Sequence, residues 1–183
     1  MQRIVLFGFG SLIGEASLRA TAPNATDIRP AYIKGFVRDF SLWDSIGFTE
    51  TNLDLTGIPF CALDIQNGFD PDARVNGVSF SVDEEDFEKI LVRERDYEVI
   101  ETEVYDYKTN KLMGVTKVFS SGRNDGSFDF DSQAGMRYLD NYLDAGRERG
   151  DKYYQELLET TFIDGKSLNQ YPQLMVRPFH FSK

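Results

Sequence analysis

Arg3-Ile4-Val5-Leu6-Phe7-Gly8-Phe9-Gly10-Ser11-Leu12-Ile13-Gly14 is the stretch on which the fold turns. A short apolar run is followed at once by a glycine-rich turn, the pattern of a buried strand feeding a loop. Glycines this close together allow positive φ and leave backbone N–H groups uncovered by side chains, which suits a concave cradle for an anion or oxyanion. The alternative is a tight turn whose glycines only permit close packing. A nucleotide phosphate fits neither known pattern: Ile13 stands where the third glycine of G-x-G-x-x-G belongs, and Glu15-Ala16 follow Gly14 where a P-loop needs Lys and Ser or Thr.

The second informative position is a carboxylate, Glu94. A helix expected from Glu84 to Arg95 places Glu94 in register with Phe87, Ile90 and Leu91 on one apolar face, where an unpaired charge is costly. Two readings are open. Either Arg93, Arg95 or a distant donor pairs it in a structural ion pair, or burial raises its pKa toward that of a working general base.

Taken together, strand, Phe9-Gly10-Ser11-Leu12, Gly35-Phe36-Val37-Arg38-Asp39-Phe40, and Leu91-Val92-Arg93-Glu94-Arg95-Asp96-Tyr97 leading into a further strand resemble the gamma-glutamylcyclotransferase superfamily. The loop is similar to that superfamily's Y-G-S-[LN], the middle segment to its G-[FYW]-x-R-x-F, and the last to its R-E-x-x-Y. The resemblance covers roughly the first 120 residues. It implies a small mixed β-barrel with flanking helices and a γ-glutamyl substrate bound by Gly8, Phe9, Gly10, Ser11 and Leu12. It further implies Glu94 as the acid/base and 5-oxoproline as product, with no cofactor. Two departures stand out: Phe9 replaces the usual Tyr, removing any hydrogen bond made by that hydroxyl. Ser41-Leu42-Trp43-Asp44-Ser45-Ile46-Gly47 replaces the histidine-arginine-glycine stretch of the glutathione-specific ChaC branch, so glutathione is not implied as sole substrate.

Length and composition bound the rest. At 183 residues with 41% apolar content the chain can bury one full core, and 1–183 reads as a single domain. A formal charge of -10 works against phosphate backbones and anionic membranes, so neither nucleic acid nor membrane is an expected partner. Cys61, the only cysteine, allows no intramolecular disulfide and reads as a small buried hydrophobe. The lone His180, close to the C-terminus, is poorly placed for a catalytic relay, and without His or Cys clusters no metal is assigned. The N-terminal apolar run is too short for a signal-peptide core or a membrane span, which gives a cytoplasmic expectation.

Strands are expected at Arg3 to Phe7, Tyr32 to Trp43, Pro59 to Ile65, Gly77 to Val82, Tyr97 to Tyr107 and Met113 to Phe119, with a hairpin turn at Thr109-Asn110-Lys111. Helices are expected at Glu84 to Arg95 capped by Asp83, at Gln133 to Arg147 capped by Ser132, and at Asp151 to Thr161. The last two read as a hairpin of helices covering sheet surface. Asn124 to Asp131 reads as a surface loop with two Phe anchors rather than a calcium loop, because no glutamate completes that pattern. Asp44 to Thr56, polar and without periodicity, reads as a flap over a site. Consecutive strands followed by helices give an α+β class.

Overall fold

The structure, a computed structural model, describes residues 3–44 and 58–175, the side chain of Met175 excepted. In chain order, β1 (Ile4–Gly8) runs into a 3-10 turn (Ser11–Ile13) and α1 (Glu15–Thr21), followed by β2 (Thr26–Lys34), β3 (Phe36–Asp44), β4 (Phe60–Asn67) and β5 (Arg74–Val82). Then come α2 (Glu84–Arg93), β6 (Glu98–Asp106), β7 (Leu112–Ser120), α3 (Gln133–Glu148) and α4 (Asp151–Thr160). Short pieces end the described chain: β8 (Thr161–Ile163), β9 (Lys166–Ser167), a 3-10 turn (Leu168–Gln170) and α5 (Pro172–Met175).

The expected small mixed barrel is present. Strands β1, β5, β2, β6 and β7 close in that order, and the closure is a parallel contact of β1 with β7 in which Leu6 faces Lys117 and Phe7 faces Val118. The remaining ladders of the barrel are antiparallel. A separate sheet, ordered β4-β3-β8-β9, packs beside it, so both Leu6 and Phe7 are buried although their side chains leave opposite faces of one strand. Phe7 fits because Gly77 lies beneath its ring; a Cβ there would stand 2.5 Å from the ring edge. Each such buried aromatic or aliphatic side chain stabilises the fold by roughly 1.5–3 kcal/mol relative to exposure.

The expected strand from Tyr32 to Trp43 is two strands in two different sheets. Gly35 adopts φ +78, its N–H donates to Ala73 O at 2.9 Å and its carbonyl accepts from Gly68 N at 2.8 Å. The local pattern is continuous in apolar content across this corner, so only the glycine marks where the chain leaves the barrel. The expected caps are in place: Asp83 accepts from Asp86 N and Ser132 from Gly135 N. The turn at 109–111 also forms, with Asn110 at φ +57 and Asp106 accepting from the Lys108 and Thr109 amides. Helices α3 and α4 pack closely at Gly146, where a Cβ would meet Leu157 Cδ1 at 2.8 Å. No helix among the described residues is long and apolar enough to cross a membrane.

Candidate active site

The glycine-rich loop is shaped by close approach, which corrects the expectation of positive φ. Gly10 sits at φ -112, ψ -129 and Gly14 at φ -71, and Gly8 is likewise absent from the left-handed region. What the glycines provide is room: a Cβ on Gly8 would meet Leu12 Cβ at 2.8 Å, and one on Gly10 would meet Tyr138 Oη at 2.9 Å. The 3-10 turn after them pairs Ile13 N with Gly10 O and Gly14 N with Ser11 O. Among the described residues no acceptor takes the amide N–H of Gly10, Ser11 or Leu12. These three residues line a cleft of about 320 Å³ of free space, part of it open to solvent.

Glu94 faces the same cleft, but from a different position than its register implied. Helix α2 ends at Arg93, and Glu94 is its C-terminal cap residue, with its N–H on Ile90 O at 2.8 Å and its carbonyl accepting from Tyr97 N at 3.0 Å. The helix therefore stops two residues short of the expected Arg95, and Glu94 lines the cleft from the cap position with 16% of its side chain exposed. The ion-pair reading of Glu94 has its partner here: Arg93 Nε lies 3.2 Å from Glu94 Oε1. The rest of that guanidinium holds neutral oxygens: Nη1 donates to Thr21 Oγ1 (2.7 Å) and Ser17 O (3.3 Å), and Nη2 to Ser11 Oγ (2.8 Å) and Ser17 Oγ (3.0 Å). Arg93 thus ties the loop, α1 and Glu94 together.

From the opposite side the loop is held by Arg38, which is fully buried. Its Nη1 donates to Phe9 O (3.1 Å) and Asn76 O (2.6 Å), Nη2 to Asn76 Oδ1 (2.8 Å) and Thr160 Oγ1 (3.2 Å), and Nε to Thr161 Oγ1 (2.9 Å). A buried guanidinium is tolerable only when its N–H groups are satisfied, and here every one has an acceptor.

Two phenols and the strand β4 complete the cleft. Tyr97 Oη donates to Leu63 O at 2.6 Å, and the Tyr138 hydroxyl on α3 takes a hydrogen bond from the Leu63 backbone. Burial pushes the Tyr97 hydroxyl well above the usual phenol range, with the neighbouring Tyr138 and the Glu94 charge adding to it. Burial, then Glu94, does the same to Tyr138. Both phenols are therefore un-ionised at neutral pH. The enclosure is lined by a carboxylate residue, two neutral phenols and a loop whose amides have no acceptor among the described residues, against the apolar walls of Leu12, Leu63 and Phe119. Such a set can hold an anionic group at the loop and move a proton at Glu94.

All the sequence-derived residues, Gly8, Phe9, Gly10, Ser11, Leu12 and Glu94, line this one cleft. Leu63, Phe119 and Tyr138 line it too and carried no local sequence signal; Tyr97 did, as the last residue of the segment around Glu94. Asp44 ends β3, whereas the remainder of the expected flap and His180 lie outside the described residues. Cys61 is buried, with its thiol pushed up to about 12 by burial and by Asp39, as expected of an inert hydrophobe. In the 124–131 loop, Phe128 is buried and Phe130 packs on the core, the anchored surface loop expected. No group of three or more His, Cys, Asp or Glu is placed to hold a metal among the described residues. Asp39 and Asp64 face each other across β3 and β4, each raised above the usual carboxylate range first by burial while accepting from Ser41 and Ser121 respectively.

No protein-family model matches the sequence, and no curated protein matches it. Solved structures do. A gamma-glutamyl cyclotransferase superposes with a TM-score of 0.63 at 18% identity, covering 95% of this chain and 98% of that one. An uncharacterized protein from Homo sapiens superposes with a TM-score of 0.65 at 18% identity, covering 97% and 100%. A yeast gamma-glutamyl cyclotransferase specific to glutathione superposes with a TM-score of 0.56 at 19% identity, covering 93% and 99%. Identities this low carry architecture alone, and across nearly the whole length of each chain that architecture is the same: this protein has the gamma-glutamyl cyclotransferase fold.

Proposed function

We propose that the chain is a gamma-glutamylcyclotransferase, closing 5-oxoproline from a γ-glutamyl amine, amino acid or peptide. The observation that carries this is that Glu94 and the Gly10–Leu12 loop, whose amides have no acceptor among the described residues, line one cleft. The substrate's own α-amino nitrogen attacks its γ-carbonyl carbon; a C–N bond forms, the tetrahedral oxyanion collapses, and the bond to the leaving nitrogen breaks. Nucleophile and electrophile belong to one molecule, so most of the proximity advantage comes with the substrate. Glu94 takes a proton from the α-ammonium and returns one to the departing nitrogen, and the second proton shed by the attacking nitrogen leaves with the released amine as its ammonium form or to solvent, so the enzyme ends as it began. The loop amides hold the oxyanion or the substrate's α-carboxylate, and each such donor can contribute roughly 3 kcal/mol. No step calls for a cofactor.

The test is 5-oxoproline release from a panel of γ-glutamyl compounds by wild type and Glu94→Gln. Loss of at least ~100-fold in turnover with the fold retained supports the assignment. A second reading, a catalytically silent domain that binds a small amino-acid-like ligand, is favoured by two observations: Phe9 has no hydroxyl to offer at the loop, and Glu94 is engaged by Arg93. Ligand binding without 5-oxoproline release from any member of the panel selects it.

A further inference from the structure

We infer that Arg38 is a positioning residue that turns the Phe9–Gly10 peptide into an anion-facing donor, an inference that rests on the cyclisation reading for its catalytic consequence but not for its geometry. In a trans peptide the C=O and the following N–H point in opposite directions. The peptide bonds of the described residues are all trans. Arg38 Nη1 holds the Phe9 carbonyl at 3.1 Å from the buried side, so the Gly10 N–H points away from the guanidinium. No described group accepts that N–H, and Gly10 itself lines the cleft. A carbonyl bonded to a cation is polarised, and its peptide partner becomes a stronger donor.

The charge balance supports this role over simple bracing. Every acceptor of Arg38 is neutral: the Phe9 and Asn76 carbonyls, the Asn76 side-chain oxygen and the Thr160 and Thr161 hydroxyls. With no carboxylate among those partners, the positive charge is met by dipoles and by the Tyr142 ring 5.4 Å from Cζ, and its field reaches the loop in a low-dielectric interior. A structural arginine of this burial would ordinarily be paired with an acid. Here the acid that would complete it is a transient one, the anionic group of the ligand on the far side of a single peptide. The guanidinium is also fixed, since β5, through Asn76, and the C-terminal end of α4, through Thr160, grip it together. The loop inherits that rigidity at Phe9.

The experiment compares wild type, Arg38→Lys and Asn76→Asp. The lysine keeps a charge but cannot hold Phe9 O and Asn76 together. The aspartate is nearly isosteric and places a carboxylate on the guanidinium, offsetting its charge, at the cost of the bond from Asn76 Nδ2 to Tyr153 O. Folding is checked by circular dichroism, the Gly10 amide by 1H–15N NMR, and kcat and KM by 5-oxoproline release. We expect both variants to shift the Gly10 amide proton upfield while the amides of β6 stay put, and kcat to fall roughly 10- to 100-fold with a smaller change in KM. A folded Asn76→Asp with unaltered kcat and an unmoved Gly10 resonance overturns the inference, whatever happens to Arg38→Lys. If wild type releases no 5-oxoproline, the cyclisation reading fails, and the Gly10 resonance alone still decides this one.

Discussion

Removing Arg93 and removing Glu94 should have very different costs, and the difference follows from the bonds each makes. In Glu94→Gln the guanidinium keeps its neutral acceptors on Ser11, Ser17 and Thr21, so the loss of one charged partner should change stability by less than about 1 kcal/mol. In Arg93→Met those bonds all go, and a carboxylate remains at the cleft without this cation. Breaking one member of a fully buried pair costs about 3–5 kcal/mol. With 12% and 16% of the two side chains exposed, water recovers part of that, and about 2–3 kcal/mol is expected. The double variant should be less destabilised than the sum of the singles by about 1–2 kcal/mol, the coupling of a contacting pair. Urea denaturation of the four proteins measures this, provided the m-values agree. Equal costs for the two single variants, or a coupling near zero, would show that the pair is not organised as described and that Glu94 is retained for stability.

Three further outcomes follow from the geometry. Gly10→Val should abolish ligand binding, because its Cβ would stand 2.9 Å from Tyr138 Oη and its methyls would cover the loop amides; a variant that binds normally would reduce the loop to an ordinary turn. Asp39→Asn should be more stable than wild type at pH 7, with the gap closing as the pH falls toward 3.8. The folded pKa of Asp39 is raised by burial, so wild type binds a proton more readily when folded and loses stability as the pH rises through that pKa; a gap independent of pH in melting curves would contradict this. Activity, where present, should survive exhaustive chelation and need no added nucleotide, and a loss restored by a divalent cation would refute the cofactor-free scheme.

Much of the barrel and half of the cleft were legible in the sequence because their signals are local. The apolar run at Ile4–Gly8 and the glycines after it mark a strand and a close-packed turn whatever surrounds them. Glu94 was legible by its company, although its register suggested a helix interior and the helix in fact ends at Arg93. The split at Gly35 was hidden because apolar residues continue on both sides and one glycine does not distinguish a bulge from a corner. Helix α1 and the short strands β8 and β9 are too brief to show a period. Tyr138 and Leu63 were invisible for another reason: on α3 and β4 they look like ordinary core residues, and only tertiary docking turns the phenol toward Gly10. Arg38 was visible in its motif, but its grip on Phe9 depends on partners from β5 and α4.

The main chain at Leu63 has a consequence for how the molecule is made. Its carbonyl bonds Tyr97 and its N–H meets Tyr138, so one residue in the second sheet joins side chains delivered at widely separate times during synthesis. The loop and Glu94 emerge from the ribosome well before α3 supplies the last wall. Until that helix docks, the nascent chain has the loop and Glu94 but no enclosure, and loop closure over such separations is slow compared with forming a helix. A ligand of the cleft can therefore recognise only the finished protein. It should protect the late-docking α3 from protease more strongly than it protects the barrel hairpin β6–β7, whose contacts are local and form early.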